Sequence, residues 1–201
     1  MSEPLSSHED THSVMTLEEW ARLPEDEDGE LVGGRLVEEE LPDYVHEVIV
    51  GWLLRIFGAW VVPLGGLAGG SGAKFALRPG RGRKPDVTVF LPGRELPPRR
   101  GLVRVPPDIA VEVVSATPRD RRRDRIEKVE EYAAFGVRWY WIVEPDTESL
   151  EILELGPEGR YTHAFSAVGG IQREVPGCPG LVLDLDALWS EVARLGPAEQ
   201  G

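Results

Sequence analysis

The chain has 201 residues, enough for one domain with a substantial core, and its 41% hydrophobic and 28% charged residues exclude a disordered or membranous composition. Its formal net charge of −13, taken whole, argues against a protein that coats nucleic acid, because phosphate binding needs basic surface. The average hides a division: residues 74–128 hold 15 Lys and Arg against 7 Asp and Glu, a net of +8, while the remainder holds 7 against 28, a net of −21.

A single cysteine, Cys178, excludes an intrachain disulfide and any multi-cysteine zinc site. The opening residues lack the basic and apolar regions of a signal peptide. No apolar run approaches the roughly 20 residues that cross a bilayer. These features predict a cytoplasmic protein without a membrane partner. Polar ends predict a disordered tail over 1–14 and a flexible end over 196–201, around a single domain spanning 15–195.

In chain order, Thr16-Leu17-Glu18-Glu19 fits a capping box and predicts a short helix to about Leu23. The acidic run 24–30 breaks it and reads as a solvated turn, although Glu30 is placed to look into a site. Residues 30–38 read as two short strands around Gly33-Gly34, a hairpin signal. The strongest helix follows: Val45, Val48, Ile49, Trp52, Leu53, Ile56, Phe57 and Trp60 recur at helical spacing, with Asp43 as N-cap. Residues 61–77 are Gly-rich and suggest strands joined by a loose hairpin. Strands are expected over 86–91, 108–114 and 139–143, with a helix from Pro118 to Phe135 closed by Gly136. The unit 108–143 reads as a parallel, right-handed strand-helix-strand crossover. A meander (150–155, 161–165) and a closing helix (184–195) complete a mixed α/β, or α+β, fold.

Two carboxylates fall where apolar strands should not carry them. Glu112 interrupts Ile-Ala-Val-Glu-Val-Val, and Asp86 opens the preceding strand. A buried ionised carboxylate is costly unless paired or bound to metal. If the strands are neighbours, two acids converge at one sheet end and repel unless a cation lies between them. A hard divalent ion such as Mg²⁺ suits such a pair; an ion pair between Glu112 and an Arg of the basic block is an equal alternative. Asp124, Lys128 and Tyr132 form one helical stripe, with Lys128 bordering the apolar face. An ammonium there can reach back to the acids, or simply form a surface pair with Asp124. His46 sits one residue off the apolar stripe, where a core-edge or capping histidine is as good a reading as a catalytic one.

The segments KPDVTVF (84–90), PPDIAVEVVSATP (106–118) and DRIEKVEEYAAFGVRWYWIVEP (124–145) resemble the Uma family of bacterial restriction-endonuclease-like proteins, within the PD-(D/E)XK nuclease superfamily. The opening MTLEEWARLPEDEDGELVGGRLVEE (15–39) is similar to the family's first helix and hairpin, and His46 falls where its next helix begins. The resemblance covers roughly residues 15–155. It implies a restriction-endonuclease-like core, a mixed central sheet flanked by helices, with an N-terminal helix-hairpin extension. It also implies that Asp86 is the PD aspartate, Glu112 the second acid and the Val113 backbone carbonyl a further metal ligand. The superfamily lysine normally follows the second acid by two residues; Val114 stands there, so the match moves to Lys128 on the helix. His46 and Asp124 match typical family positions.

The implied chemistry is metal-dependent phosphodiester hydrolysis in DNA. Mg²⁺ or Mn²⁺ is held by Asp86 and Glu112, with Lys128 orienting the attacking water and His46, Asp124 and Glu30 in support. Arg81, Arg83, Lys84, Arg119, Arg121, Arg122, Arg123 and Arg125 are candidate contacts to nucleic acid. Cutting both strands takes two sites, hence an expected homodimer. Two alternatives are a catalytically silent nucleic-acid-binding or protein-interaction module on the same fold, and an acid/base hydrolase of small molecules.

Overall fold

Thr16 caps the first helix as its pattern predicts. Its hydroxyl accepts from the Glu19 N–H, and the Glu19 carboxylate reaches back to the Thr16 N–H at 2.7 Å. This helix, α1 (Leu17–Ala21), buries Leu17 and Trp20. The structure, a computed structural model, describes residues 14–24, 27, 29–38, 42–114 and 122–196. Almost all of the two expected tails therefore lies outside the described residues.

Strands β1 (Glu30–Val32) and β2 (Arg35–Val37) form the expected antiparallel hairpin. Gly33 and Gly34 take φ of +60° and +73°, the double left-handed turn that matches strand twist and that residues with side chains resist. Helix α2 (Tyr44–Val61) starts at Asp43, whose Oδ1 accepts from the His46 N–H at 2.8 Å. With the short turn that continues it, the segment Tyr44–Leu64 has 21 residues and a mean hydropathy of 1.6, long and apolar enough by composition to cross a bilayer. Reading separate apolar runs missed this, because Gly51, Arg55 and Gly58 interrupt the helix without ending it. One face of α2, including Ile49, Trp52, Leu53 and Phe57, is packed into the core.

The Gly-rich stretch does not form the expected hairpin. Strand β3 (Leu67–Gly70) joins the main sheet, whereas β4 (Phe75–Arg78) pairs with β5 (Arg81–Arg83) in a separate four-stranded sheet ordered β2-β1-β5-β4. A run such as Leu-Ala-Gly-Gly has too little alternation to specify its partner. The hairpin of the N-terminal extension thus forms part of a second sheet with β5 and β4.

Strands β6 (Val87–Phe90), β7 (Ile109–Val113), β8 (Trp139–Glu144), β9 (Ser149–Leu155) and β10 (Tyr161–Ala167) complete the main sheet, ordered β10-β9-β8-β7-β6-β3. The pair β7–β8 is parallel, as the crossover predicts, and the other pairs are antiparallel. Residues 115–121 of the crossover, including the expected helix start at Pro118, lie outside the described residues. From Arg123 to Glu127 the backbone makes a wide π-helical turn, the Lys128 N–H bonding to the Arg123 carbonyl five residues back. Helix α3 (Lys128–Phe135) follows and ends at Gly136 with φ +95°. A small pair, β11 (Ile171–Gln172) and β12 (Leu183–Asp184), leads into α4 (Leu185–Val192).

Alternation sorts the sheet into two faces. Val87, Ile109, Val111, Val113, Trp139, Trp141 and Val143 share one buried cluster with α2 and α4. Ala110, Val114, Tyr140 and Ile142 cluster with Tyr132 of α3. Each large apolar side chain fully buried here contributes about 1.5–3 kcal/mol. The odd-numbered residues of β7 take the α2 face, so Glu112 is driven onto the α3 face.

Candidate active site

Strands β6 and β7 are direct neighbours, with Val87 paired to Val111 and Thr88 to Ala110. Continuing that antiparallel register by one pair sets Asp86 opposite Glu112, so the two acids converge as the sequence reading requires. The Asp86 Oδ2 accepts from the Val113 N–H at 2.7 Å. Its Oδ1 lies 3.2 Å from His46 Nε2 at the start of α2.

Glu112 is 3% exposed, and each of its oxygens has a partner. Tyr132 donates its hydroxyl to Oε1, and Lys128 Nζ lies 2.8 Å from Oε2. The predicted stripe Asp124-Lys128-Tyr132 therefore closes on Glu112 from α3, and the Glu112 partner is Lys128 where an Arg pairing was the alternative. Lys128 Nζ also lies 3.1 Å from Asp124 Oδ1 and 3.5 Å from Glu30 Oε1. The π turn presents Asp124 to Lys128, and the Tyr140 hydroxyl donates to the Asp124 carbonyl at 2.9 Å. Lys128 is 1% exposed and Glu30 likewise; Asp86 and His46 keep partial exposure.

The electrostatics follow from burial and an excess of acids. Burial pushes Glu112 well above the usual carboxylate range; Lys128 opposes the shift, while Asp86, Asp124 and Glu30 add to it. Burial alone would lower Lys128, but Asp124, Glu112 and Glu30 outweigh it and raise the ammonium well above its ordinary value. Burial also acts to raise Glu30, yet Lys128, Arg83 and the Lys84 N–H together hold it low. His46 is raised, the Asp86 and Glu47 carboxylates overcoming its own burial.

The donor set fits a hard divalent ion. Asp86 and Glu112 supply hard carboxylate oxygens close to each other, each of which a protein donor already engages. Such an ion takes one or two carboxylates and keeps water in its remaining positions. Among the described residues no group of three or more His, Cys, Asp or Glu has metal-ligand spacing. An ion here would therefore rely on water and backbone oxygen, for which the Val113 carbonyl is the nearest expectation.

The basic residues are placed differently from the sequence reading. Arg83 is fully buried, its Nη1 bonded to Glu30 Oε2 and its Nε 2.6 Å from Glu131 Oε2. It cannot grip a phosphate backbone from there. Arg81 lies 3.1 Å from Glu131 Oε1, and Arg123 lies 3.5 Å from Asp124 Oδ1. Arg125 spans Glu144 and Glu151 at 2.7 and 2.8 Å. Arg122 is exposed and Lys84 half-buried; Arg119 and Arg121 lie outside the described residues. Of the basic block, Arg83, Arg123 and Lys128 lie among the buried acids, whereas Arg94 pairs with Asp108 and Arg104 with Glu18. Sequence reasoning missed Glu131, for which the helix offers no local signal. It placed Tyr132 on the right stripe without assigning it a partner.

A family model named Uma2 and described as "Putative restriction endonuclease" matches residues 16–186. The fold is similar to a crystal structure titled as that of a "putative nuclease" from Anabaena variabilis, with a TM-score of 0.68 and 20% identity, covering 89% of this chain and 99% of that one. At that identity the likeness concerns the architecture, a mixed central sheet flanked by helices. No curated protein matches the chain.

Proposed function

The chain belongs to the Uma2 family, and on that premise we propose that it is a metal-dependent endonuclease hydrolysing phosphodiester bonds in DNA. The observation that carries this reading is that Asp86, one residue before β6, accepts from the Val113 N–H next to Glu112, with Lys128 at 2.8 Å from Glu112. Few structural needs explain so many ionisable groups buried together, whereas functional sites collect them.

Asp86 and Glu112, with the Val113 carbonyl, are the residues that would hold Mg²⁺ or Mn²⁺. When bound, such an ion polarises a phosphoryl oxygen and lowers the pKa of water. The protein's own groups do the rest. The Val113 N–H and His46 fix the two oxygens of Asp86, and Tyr132 and Lys128 fix those of Glu112. Lys128 places a permanent positive charge beside the acids, where it orients the attacking water and offsets charge building on the phosphate. The water oxygen forms the new bond to phosphorus as the bond to the leaving oxygen breaks. His46 and Asp86 form the solvent-facing side, from which the backbone is read as approaching. Arg122, with Arg119 and Arg121, is the proposed grip on phosphate. A homodimer would bring two such sites to the two strands.

The test is cleavage of supercoiled and linear DNA, and of RNA, with Mg²⁺ or Mn²⁺ and with chelator. Metal-dependent cutting of DNA by the wild type, lost in Asp86→Asn and Glu112→Gln, is the expected outcome. A second reading, a silent binding module, is favoured by one observation: both Glu112 oxygens are already occupied by Tyr132 and Lys128. Binding of DNA without cleavage under any metal would select it.

A further inference from the structure

Resting on the nuclease reading, we propose that Arg83 is a positioning residue: a buried key that sets the rotation of the helix carrying Lys128. Its guanidinium is fully buried and faces three carboxylates from three elements. Nη1 bonds Glu30 on β1, Nε bonds Glu131 on α3 at 2.6 Å, and Nη2 lies 3.7 Å from Glu127 in the π turn. Glu127 and Glu131 each immediately precede a residue that bonds Glu112, Lys128 and Tyr132 respectively. Holding these two acids therefore fixes the angle at which Lys128 and Tyr132 meet Glu112.

The other arm acts on Lys128 through Glu30. Glu30 Oε2 is taken by Arg83, which leaves Oε1 to accept the Lys84 N–H at 3.1 Å and to face Lys128 Nζ at 3.5 Å. Arg83 thus touches both sides of the lysine's surroundings without touching the lysine or the facing acids. Arg81 adds a second contact to Glu131 at 3.1 Å.

Stability alone does not account for this arrangement. A buried ion cluster can often be replaced by apolar side chains at no cost or with a gain, so its retention points to specificity of geometry. Only arginine suits the position: its planar fork reaches several carboxylates in fixed directions, whereas a lysine ammonium is a single mobile point charge. Arg83→Lys therefore keeps the charge and loses the geometry. A displacement of about 1 Å at a catalytic group lowers turnover about a hundredfold.

The chain has three lysines, Lys74, Lys84 and Lys128, so selective ¹⁵N-lysine labelling gives a simple ammonium spectrum. Wild type, Arg83→Lys and Glu131→Gln are compared by DNA cleavage kinetics and the Lys128 Nζ resonance, the spectroscopy using wild type and Glu131→Gln. Glu131→Gln preserves shape should Arg83→Lys fail to fold. The expected result is a kcat lowered about ten- to a hundredfold with KM unchanged, and a shifted, faster-exchanging Lys128 signal in a cooperatively folded variant. An unchanged kcat together with an unchanged signal overturns the proposal. A rise in KM alone also overturns it, because it would make Arg83 a substrate contact. If the wild type cuts no nucleic acid, the nuclease reading fails, while the resonance still decides whether this cluster positions Lys128.

Discussion

Glu112, proposed as a metal-holding acid, would serve activity at the expense of stability. Its carboxylate is nearly enclosed and raised well above the ordinary range by burial, so keeping it ionised at neutral pH is a cost to the folded state. Gln at this position can accept from Lys128 through its one oxygen and donate its amide N–H to the Tyr132 hydroxyl, and it carries no charge to desolvate. Glu112→Gln is expected to unfold at the same urea concentration as wild type or a higher one, while losing cleavage. A loss of more than about 2 kcal/mol would show that the charge supports the fold through its partners, as a broken buried pair does. The acid was visible in the sequence because it interrupts an apolar strand, and Lys128 because it lies on the stripe of Asp124 and Tyr132. Arg83 was misplaced on the surface because its partners are 53 and 48 residues distant in sequence, and local pattern reports charge without reporting what pairs with it.

At the scale of elements, capping, turn and periodicity signals located α1, the first hairpin, α2 and the parallel β7–β8 crossover, since each is specified by neighbouring residues. Partner choice was legible only where alternation is strong. The Gly-rich segment lacked it, so β3 and β4 were assigned to each other when they belong to different sheets. The small sheet is held to α1 by a close approach at Gly82. A Cβ there would lie 2.3 Å from the Trp20 ring, which is itself pinned by an indole N–H bond to the Gly29 carbonyl at 3.0 Å. Gly82→Ala is therefore expected to destabilise the protein by about 1–3 kcal/mol, the range for overpacking. Chemical denaturation measures it, and an unchanged midpoint would mean that Trp20 moves freely. Since β5 carries Arg83 beside Gly82, the same variant tests whether loosening the small sheet reaches the site.

Across the whole molecule, the net charge of −13 conceals a basic block that the fold largely spends on internal pairs with acids. In the proposed function this would narrow nucleic-acid contact to a few residues, and it separates two arginines three positions apart. Both are exposed, but Arg125 is held between Glu144 and Glu151. Arg122→Ala is expected to weaken DNA binding and reduce the salt slope by about 1, as loss of one phosphate contact does. Arg125→Ala should leave both unchanged. Equal losses in the two variants would mean that the internal pairs open when DNA binds.

Whether Asp86 and Glu112 form a divalent-metal site is tested most directly by calorimetric titration of Mn²⁺ into the wild-type, Asp86→Asn and Glu112→Gln proteins. Saturable binding by the wild type that disappears in both variants is the predicted result. Binding that is absent from the wild type, or that survives both substitutions, would contradict it.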